Sequence, residues 1–522
     1  MLRPPSSEHP RTPDALLGQV VGIGAAAAGA AVAAWFLWQT KVPDGLQLGG
    51  LDVHRYFSSA ALHRTADYAR FARIDFILSQ LTLLLVLAGY ARWGTALTRE
   101  SAAGPIGTGM LLAMLGLGIL WLAELPFTIA DLWWERRHGL LLVGYVEAIF
   151  GNWFALGGQF LSICLAILIV MGLARLVGGR WWIPGAAVFV GIGLLLTFLT
   201  PYLLETHRLR DPALAAAAAR IERAEGVAPT PIEVEDMHEI TTAPNAEATG
   251  LGPSRRVVLW DTLIDGRFSP AEVRVVIAHE VGHLARHHLW KSIGWYALFA
   301  FPGAYLIARF TRRRGGMGRA EAVPLSLFVL VVLSLLASPL QNVISRHMEA
   351  EADWMALQTT RNPAAARALF QHFTATALEQ PSPPTWSYLL LENHPTIAQR
   401  LAMVQAWQRR QHRFADRPLR GRPVSVERRV KASAPQELVV RALLDDAAVL
   451  EHDDQVGVAD RRQPVGDDER GAAGEQEPER PLDLPLGADV DRRRRLVQDQ
   501  QARVGEQRPR ECNELPLPER EA

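Results

Sequence analysis

Two histidines four residues apart, with a glutamate beside the first, form the stretch His279-Glu280-Val281-Gly282-His283. On an α-helix, residues four apart share a face and lie about 6 Å apart along the axis. Both imidazoles can then meet one Zn²⁺ ion. Glu280 stands next to the first of them, placed to take a proton from a zinc-bound water whose pKa has fallen to about 7. The local sequence supports a helix over 269–289: Ser269 is a good N-cap, Pro270 fits the first helical position, and Glu272 completes a capping box. The plainer account is a helix that carries two histidines and a glutamate by chance. The capping signals and the candidate partners further along the chain argue against it.

A catalytic zinc needs a third protein ligand and an open position for water. The nearby candidates are His287 and His288, or a carboxylate elsewhere. His287 is two helical turns from His279, about 12 Å along the axis, too far for ligand bonds of about 2 Å. Glu349 is the better candidate, because its helix and the His279 helix flank the last two apolar spans. Asp353, one turn later, shares the face of Glu349 and could orient a ligand histidine through the ring nitrogen not given to metal. Taken alone, Glu349, Glu351 and Asp353 read equally well as the solvated acidic face of a helix.

The elements that must hold these residues lie partly in a membrane. The chain has 522 residues, zero formal net charge and 49% hydrophobic residues, with a mean hydropathy of +0.07 despite a very polar C-terminal hundred residues. The apolar residues are therefore concentrated upstream, as in a polytopic membrane protein. The balanced charge implies no nucleic-acid partner. Two cysteines, Cys164 and Cys512, build neither a disulfide framework nor a cysteine zinc site. Basic charge is almost entirely arginine, with lysine only at positions 41, 291 and 431, which suits a bacterial, GC-rich source.

Seven apolar runs are expected to span the bilayer, near 16–38, 74–90, 106–129, 154–177, 181–204, 292–308 and 323–340. The first is too long for a signal peptide core, so it reads as an uncleaved span after a disordered N-terminus, 1–15. Residues 16–204 then form a five-span N-terminal region. Glu124, inside the third run, is expected near a span end or facing other helices. Residues 205–417 form a soluble domain interrupted by spans six and seven. It holds an Ala-rich helix over 211–224, strands near 232–240, 245–250 and 256–263, the His279 helix, and a long helix running from the seventh span through Asp353. The residues from 418 to 522 contain no Phe, Trp or Tyr. They read as a disordered tail, or as a stretch translated out of frame.

The chain resembles the M48 metalloproteases of the CaaX prenyl protease type and their bacterial relatives. The residues that carry the resemblance are Phe268-Ser269-Pro270-Ala271-Glu272 leading into the His279–His283 motif, Ser345-Arg346, and Glu349 with Asp353. Asn245-Ala246 followed by Gly250 and Gly252, the segment Val258 to Leu263, and His394-Pro395 with Arg400 complete them. The likeness covers roughly 50–410 and is most specific over 205–400. It implies a mainly α, seven-helix transmembrane bundle enclosing a chamber, with a zincin-like protease domain split around the last two spans. It implies one zinc per chain held by His279, His283 and Glu349, with Glu280 as general base and Asp353 supporting a ligand. Asn245 and Ala246 would bind substrate backbone by strand addition, and His394 and Arg400 would hold substrate and the developing oxyanion. Ala350 stands where the family often has an aromatic residue.

The expected protein is a monomeric, multi-pass endopeptidase of a bacterial inner membrane. Its catalytic domain would face the cytosol, and its substrates would be extended or membrane-associated peptides. A quality-control protease of the HtpX type, or a scaffold or transporter using the bundle alone, are the alternatives.

Overall fold

The computed structural model describes residues 13–46, 48–150 and 153–415. The expected N-terminal tail up to 12 and the C-terminal tail from 416 lie outside the described residues. Nine helices precede or enter the catalytic region: α1 (Pro13–Leu37), α2 (Ser59–Trp93), α3 (Gly104–Arg137), α4 (Tyr145–Phe150), α5 (Trp153–Val177), α6 (Trp182–Leu199), α7 (Pro212–Glu225), α8 (Pro270–Ala285) and α9 (His288–Thr311). Then follow α10 (Val323–Thr360), α11 (Pro363–Thr376), α12 (Thr385–Leu391) and α13 (Ile397–Ala415). Four short strands, β1 (Thr206–Arg208), β2 (Ile232–Glu235), β3 (Ala246–Thr249) and β4 (Arg256–Trp260), form one sheet in the order β1-β2-β4-β3.

Among the described residues, six helices are long and apolar enough to cross a membrane: α2, α3, α5, α6, α9 and α10. The expected first span coincides with α1, whose described apolar stretch, Gly24–Leu37, is shorter than the rest. α3 is a single helix running through Pro126. Glu124 sits inside it and accepts a hydrogen bond from Ser79 of α2, so it faces a neighbouring helix.

The sheet and helices of the catalytic region share one core. Val257 and Leu259 of β4, Ile277, Ala278 and Val281 of α8, Trp354 and Leu357 of α10, and Ile397 and Leu401 of α13 are buried together. The capping box at the start of α8 forms as its residue types require: Ser269 Oγ accepts from the Glu272 N–H, and the Glu272 carboxylate accepts from Ser269 N at 2.8 Å.

Two expectations are corrected here. The strand expected to run to 240 ends at Glu235, where Asp236 and the following turn leave the ladder. The helix expected to run to 289 stops at Ala285. His287 adopts φ 55°, ψ 38°, a left-handed conformation that closes α8 and lets α9 start in a new direction at His288. Periodicity alone does not show such a break, because His287 is not the glycine that usually marks it.

Gly282 sets the approach of the two helices that matter most. A Cβ built there would lie 3.2 Å from Met355 Cβ and 3.5 Å from Ala352 Cα. With only hydrogen on Gly282, α8 and α10 pack close enough for side chains of α10 to reach both histidines.

Candidate metal centre

α8 turns His279 and His283 toward α10, which runs unbroken from the membrane through Glu349 and Asp353. The three side chains His279, His283 and Glu349 each offer one ligand atom, all within 4.8 Å of one another. His279 Nε2 lies 3.1 Å from Glu349 Oε2 and 3.1 Å from His283 Nε2, and His283 Nε2 lies 3.7 Å from Glu349 Oε1. Two imidazole nitrogens and one carboxylate, converging from two helices, make a three-donor set of the kind that suits a catalytic zinc. Glu280, buried, is next to the first of them on α8.

The other nitrogen of His279 is also occupied. His279 Nδ1 is 3.0 Å from Asp353 Oδ1, and Asp353 is clamped by Arg400, whose Nε and Nη2 donate at 2.8 and 2.7 Å. The guanidinium rests over the ring of Phe370. Burial works against charge on His279, but the carboxylates of Asp353 and Glu349 outweigh it and raise its pKa to about 10 without metal. Asp353 raises the Arg400 pKa in the same way, against burial.

His394 comes from the segment between α12 and α13. Its Nε2 is 3.3 Å from Glu349 Oε2, and its Nδ1 is 2.8 Å from Asn393 Oδ1. Arg346 of α10 fixes that segment: its Nη1 donates to the carbonyls of Tyr388 and Glu392 at 2.9 and 2.6 Å, and its charge lies over the Tyr388 ring. A buried arginine thus ties the segment carrying His394 to the helix carrying Glu349.

Asn245 and Ala246 lie where β3 begins, at the edge of the sheet. Trp260 N donates to Asn245 O at 2.9 Å, and Ala246 stands opposite Leu259. Hydrogen-bonded and non-hydrogen-bonded pairs alternate along an antiparallel ladder. The backbone N–H and C=O of Ala246 and Ala248 therefore point away from β4.

The structure brings together His279, His283, Glu349, Asp353, His394 and Arg400. His287 is exposed and outside the three-donor group. Arg400 is buried on Asp353, behind the three-donor group. The sequence reading named His288 only as a candidate third ligand and Glu351 only as part of an acidic face; both lie behind His283. A second group, Asp236, His238 and Asp261, could also gather around a cation. It is largely exposed, at the ends of β2 and β4, and Asp261 already pairs with His238 and with the N–H of Met237.

The bundle and the three-donor centre together define a polytopic membrane protein with a metallopeptidase-type site. Residues 208–408 match the family model for Peptidase family M48. The chain is 27% identical over 252 residues to the uncharacterized metalloprotease YhfN of Bacillus subtilis, covering 45% of this chain and 59% of that protein. It is 30% identical over 187 residues to a protease HtpX homolog of Leuconostoc citreum, covering 31% of this chain and 63% of that protein. The matched region thus spans about three fifths of the length of these two relatives. In three dimensions the chain resembles crystalline Ste24p of S. mikatae with a TM-score of 0.56 at 20% identity, covering 76% of this chain and all of that one. That likeness shows a shared fold.

Proposed function

We propose that this chain is an integral-membrane zinc endopeptidase that cleaves extended peptide segments of membrane-associated substrates. The observation that carries the reading is the convergence of His279, His283 and Glu349, with Glu280 one residue from the first donor. His279, His283 and Glu349 would hold the zinc. When bound, it supplies Lewis acidity that makes a water acidic enough to be deprotonated near neutral pH.

The protein's own groups do the rest. Ala246 and Ala248 bind the substrate main chain along the open edge of β3 and place its scissile carbonyl at the centre. Glu280 takes the proton of the attacking water as the new C–O bond forms, and returns it to the leaving amine as the C–N bond then breaks. His394 donates toward the oxygen on which negative charge develops. Asp353, fixed by Arg400, accepts from His279 Nδ1 and so leaves Nε2 free for the metal.

Glu280→Gln tests the reading. The variant should retain zinc and lose activity by roughly 10²-fold or more, because the carboxylate moves a proton and is not a donor to the metal. Zinc loss in Glu280→Gln would place Glu280 among the ligands. Full cleavage by it would remove the base. Two substrate classes fit the fold and its relatives: the C-termini of prenylated proteins, as in the CaaX type, and damaged membrane proteins, as in the HtpX type. A peptide series with and without a prenylated cysteine separates them.

A further inference from the structure

His283 has a supporting structure of its own, on the side away from Glu349. Its Nδ1 lies 2.9 Å from Nδ1 of His288, and His288 Nε2 lies 3.0 Å from Glu351 Oε2. Glu351 has no exposed surface. Besides His288, its carboxylate accepts from Arg286 Nε at 2.6 Å, Lys291 Nζ at 3.1 Å and the backbone N–H of Lys41 at 2.6 Å.

The protons in this chain of groups have one consistent arrangement. An imidazole that gives Nε2 to a metal keeps its proton on Nδ1. Of two nitrogens 2.9 Å apart, one donates and the other accepts. His283 Nδ1–H therefore donates, and His288 Nδ1 accepts. The proton of His288 is then on Nε2, where it meets Glu351, an acceptor held ionised by two cations and an amide.

The geometry points to His288 and Glu351 as positioning residues for the ligand His283: an indirect carboxylate relay with a histidine inserted in it. This rests on the reading of His279, His283 and Glu349 as a metal centre. His279 has the direct version, through Asp353. The inserted ring has a structural cause. Asp353 and Glu351 are two residues apart on α10, so they face directions about 200° apart, and Glu351 does not share the face that meets the metal ligands. The left-handed turn at His287 brings His288 back under His283 and spans the gap.

The segment after α1 closes the relay from outside. Lys291 Nζ donates to Gln39 O at 2.8 Å, His347 Nε2 is 2.8 Å from Trp38 O, and the rings of Trp38 and His347 stack 3.9 Å apart. A purely structural ion cluster of Glu351, Arg286 and Lys291 would hold these helices equally well with no contact between His288 and a metal ligand.

The test uses the full-length chain purified in detergent, with zinc affinity measured by chelator competition beside the thermal midpoint. His288→Phe keeps an aromatic ring but removes both nitrogens. It should weaken zinc binding about 10- to 100-fold and shift the visible bands of the cobalt-substituted protein. His288→Asn, which can still accept from His283 and donate onward, should recover most of that affinity. A folded His288→Phe variant with parental zinc affinity overturns the relay. Should that variant fail to fold, histidine ¹⁵N spectra of the zinc-loaded parent decide. His288 protonated on Nε2 alone supports the relay, and a proton on its Nδ1 overturns it. A parent chain that binds no zinc overturns the metal centre itself, which separates failure of that reading from failure of this one.

Discussion

Arg400 meets both carboxylate oxygens of Asp353 in a two-pronged contact, Nε to Oδ2 at 2.8 Å and Nη2 to Oδ1 at 2.7 Å, with both side chains buried. Asp353 in turn holds His279. Removing the arginine leaves a buried carboxylate with the histidine alone. Arg400→Ala should cost about 3–5 kcal/mol of stability. Arg400→Lys, which keeps the charge but loses the fork, should fold better and bind zinc more weakly than the parent. Unchanged zinc affinity in Arg400→Lys would mean that the fork does not set the orientation of His279.

The third donor is tested by a pair of variants. Glu349→Ala should lower zinc occupancy strongly, since it removes one of three donors. His287→Gly should leave zinc in place and raise the thermal midpoint slightly, because glycine adopts φ 55° without the strain that His287 bears there. Zinc loss in His287→Gly with zinc retained in Glu349→Ala would reverse the assignment.

Substrate should add to β3 through Ala246. Ala246→Pro deletes an outward N–H of the edge strand without touching a metal donor. KM for an extended peptide should rise several-fold or cleavage should cease, while zinc content stays at the parental value. Parental kinetics in this variant would put the groove on another surface.

Glu225, the last residue of α7, supplies a pH test. Both its carboxylate oxygens are buried. Burial raises its pKa to about 7, against smaller opposing effects of Thr359, His279 and His283. A carboxyl group whose folded pKa is raised contributes stability below its unfolded pKa near 4.5, and that contribution is lost as pH climbs through about 7. Above pH 7 the burden is on the order of 3 kcal/mol. In metal-free protein, Glu225→Gln should therefore melt higher than the parent at pH 8 and match it near pH 4.5. A difference independent of pH would show that Glu225 is not the titrating group.

Local pattern carried much of the architecture. The capping box of α8, the HExxH spacing and the long apolar runs depend on near neighbours in the chain, where helix periodicity and capping chemistry operate. That α10 would run unbroken through Glu349 and Asp353 was also legible, since no glycine interrupts it; its one internal proline, Pro339, is tolerated. The end of α8 was not legible. A histidine in a left-handed turn gives no compositional sign.

By itself, then, the sequence determined that an HExxH helix and a membrane bundle are both present, because each is written in residues close together along the chain. It singled out Glu349 as a candidate third donor and Asp353 as a candidate support for a ligand histidine, and left Glu351 with no role beyond an acidic helix face. The tertiary structure places all three: Glu349 beside His279 and His283, Asp353 against His279, and Glu351 against His288 and the segment after α1. Their partners lie 45 to 310 residues away in the chain. The close crossing of α8 and α10 at Gly282, and the turn at His287, select which of them meet, and no local spacing encodes a contact between distant segments.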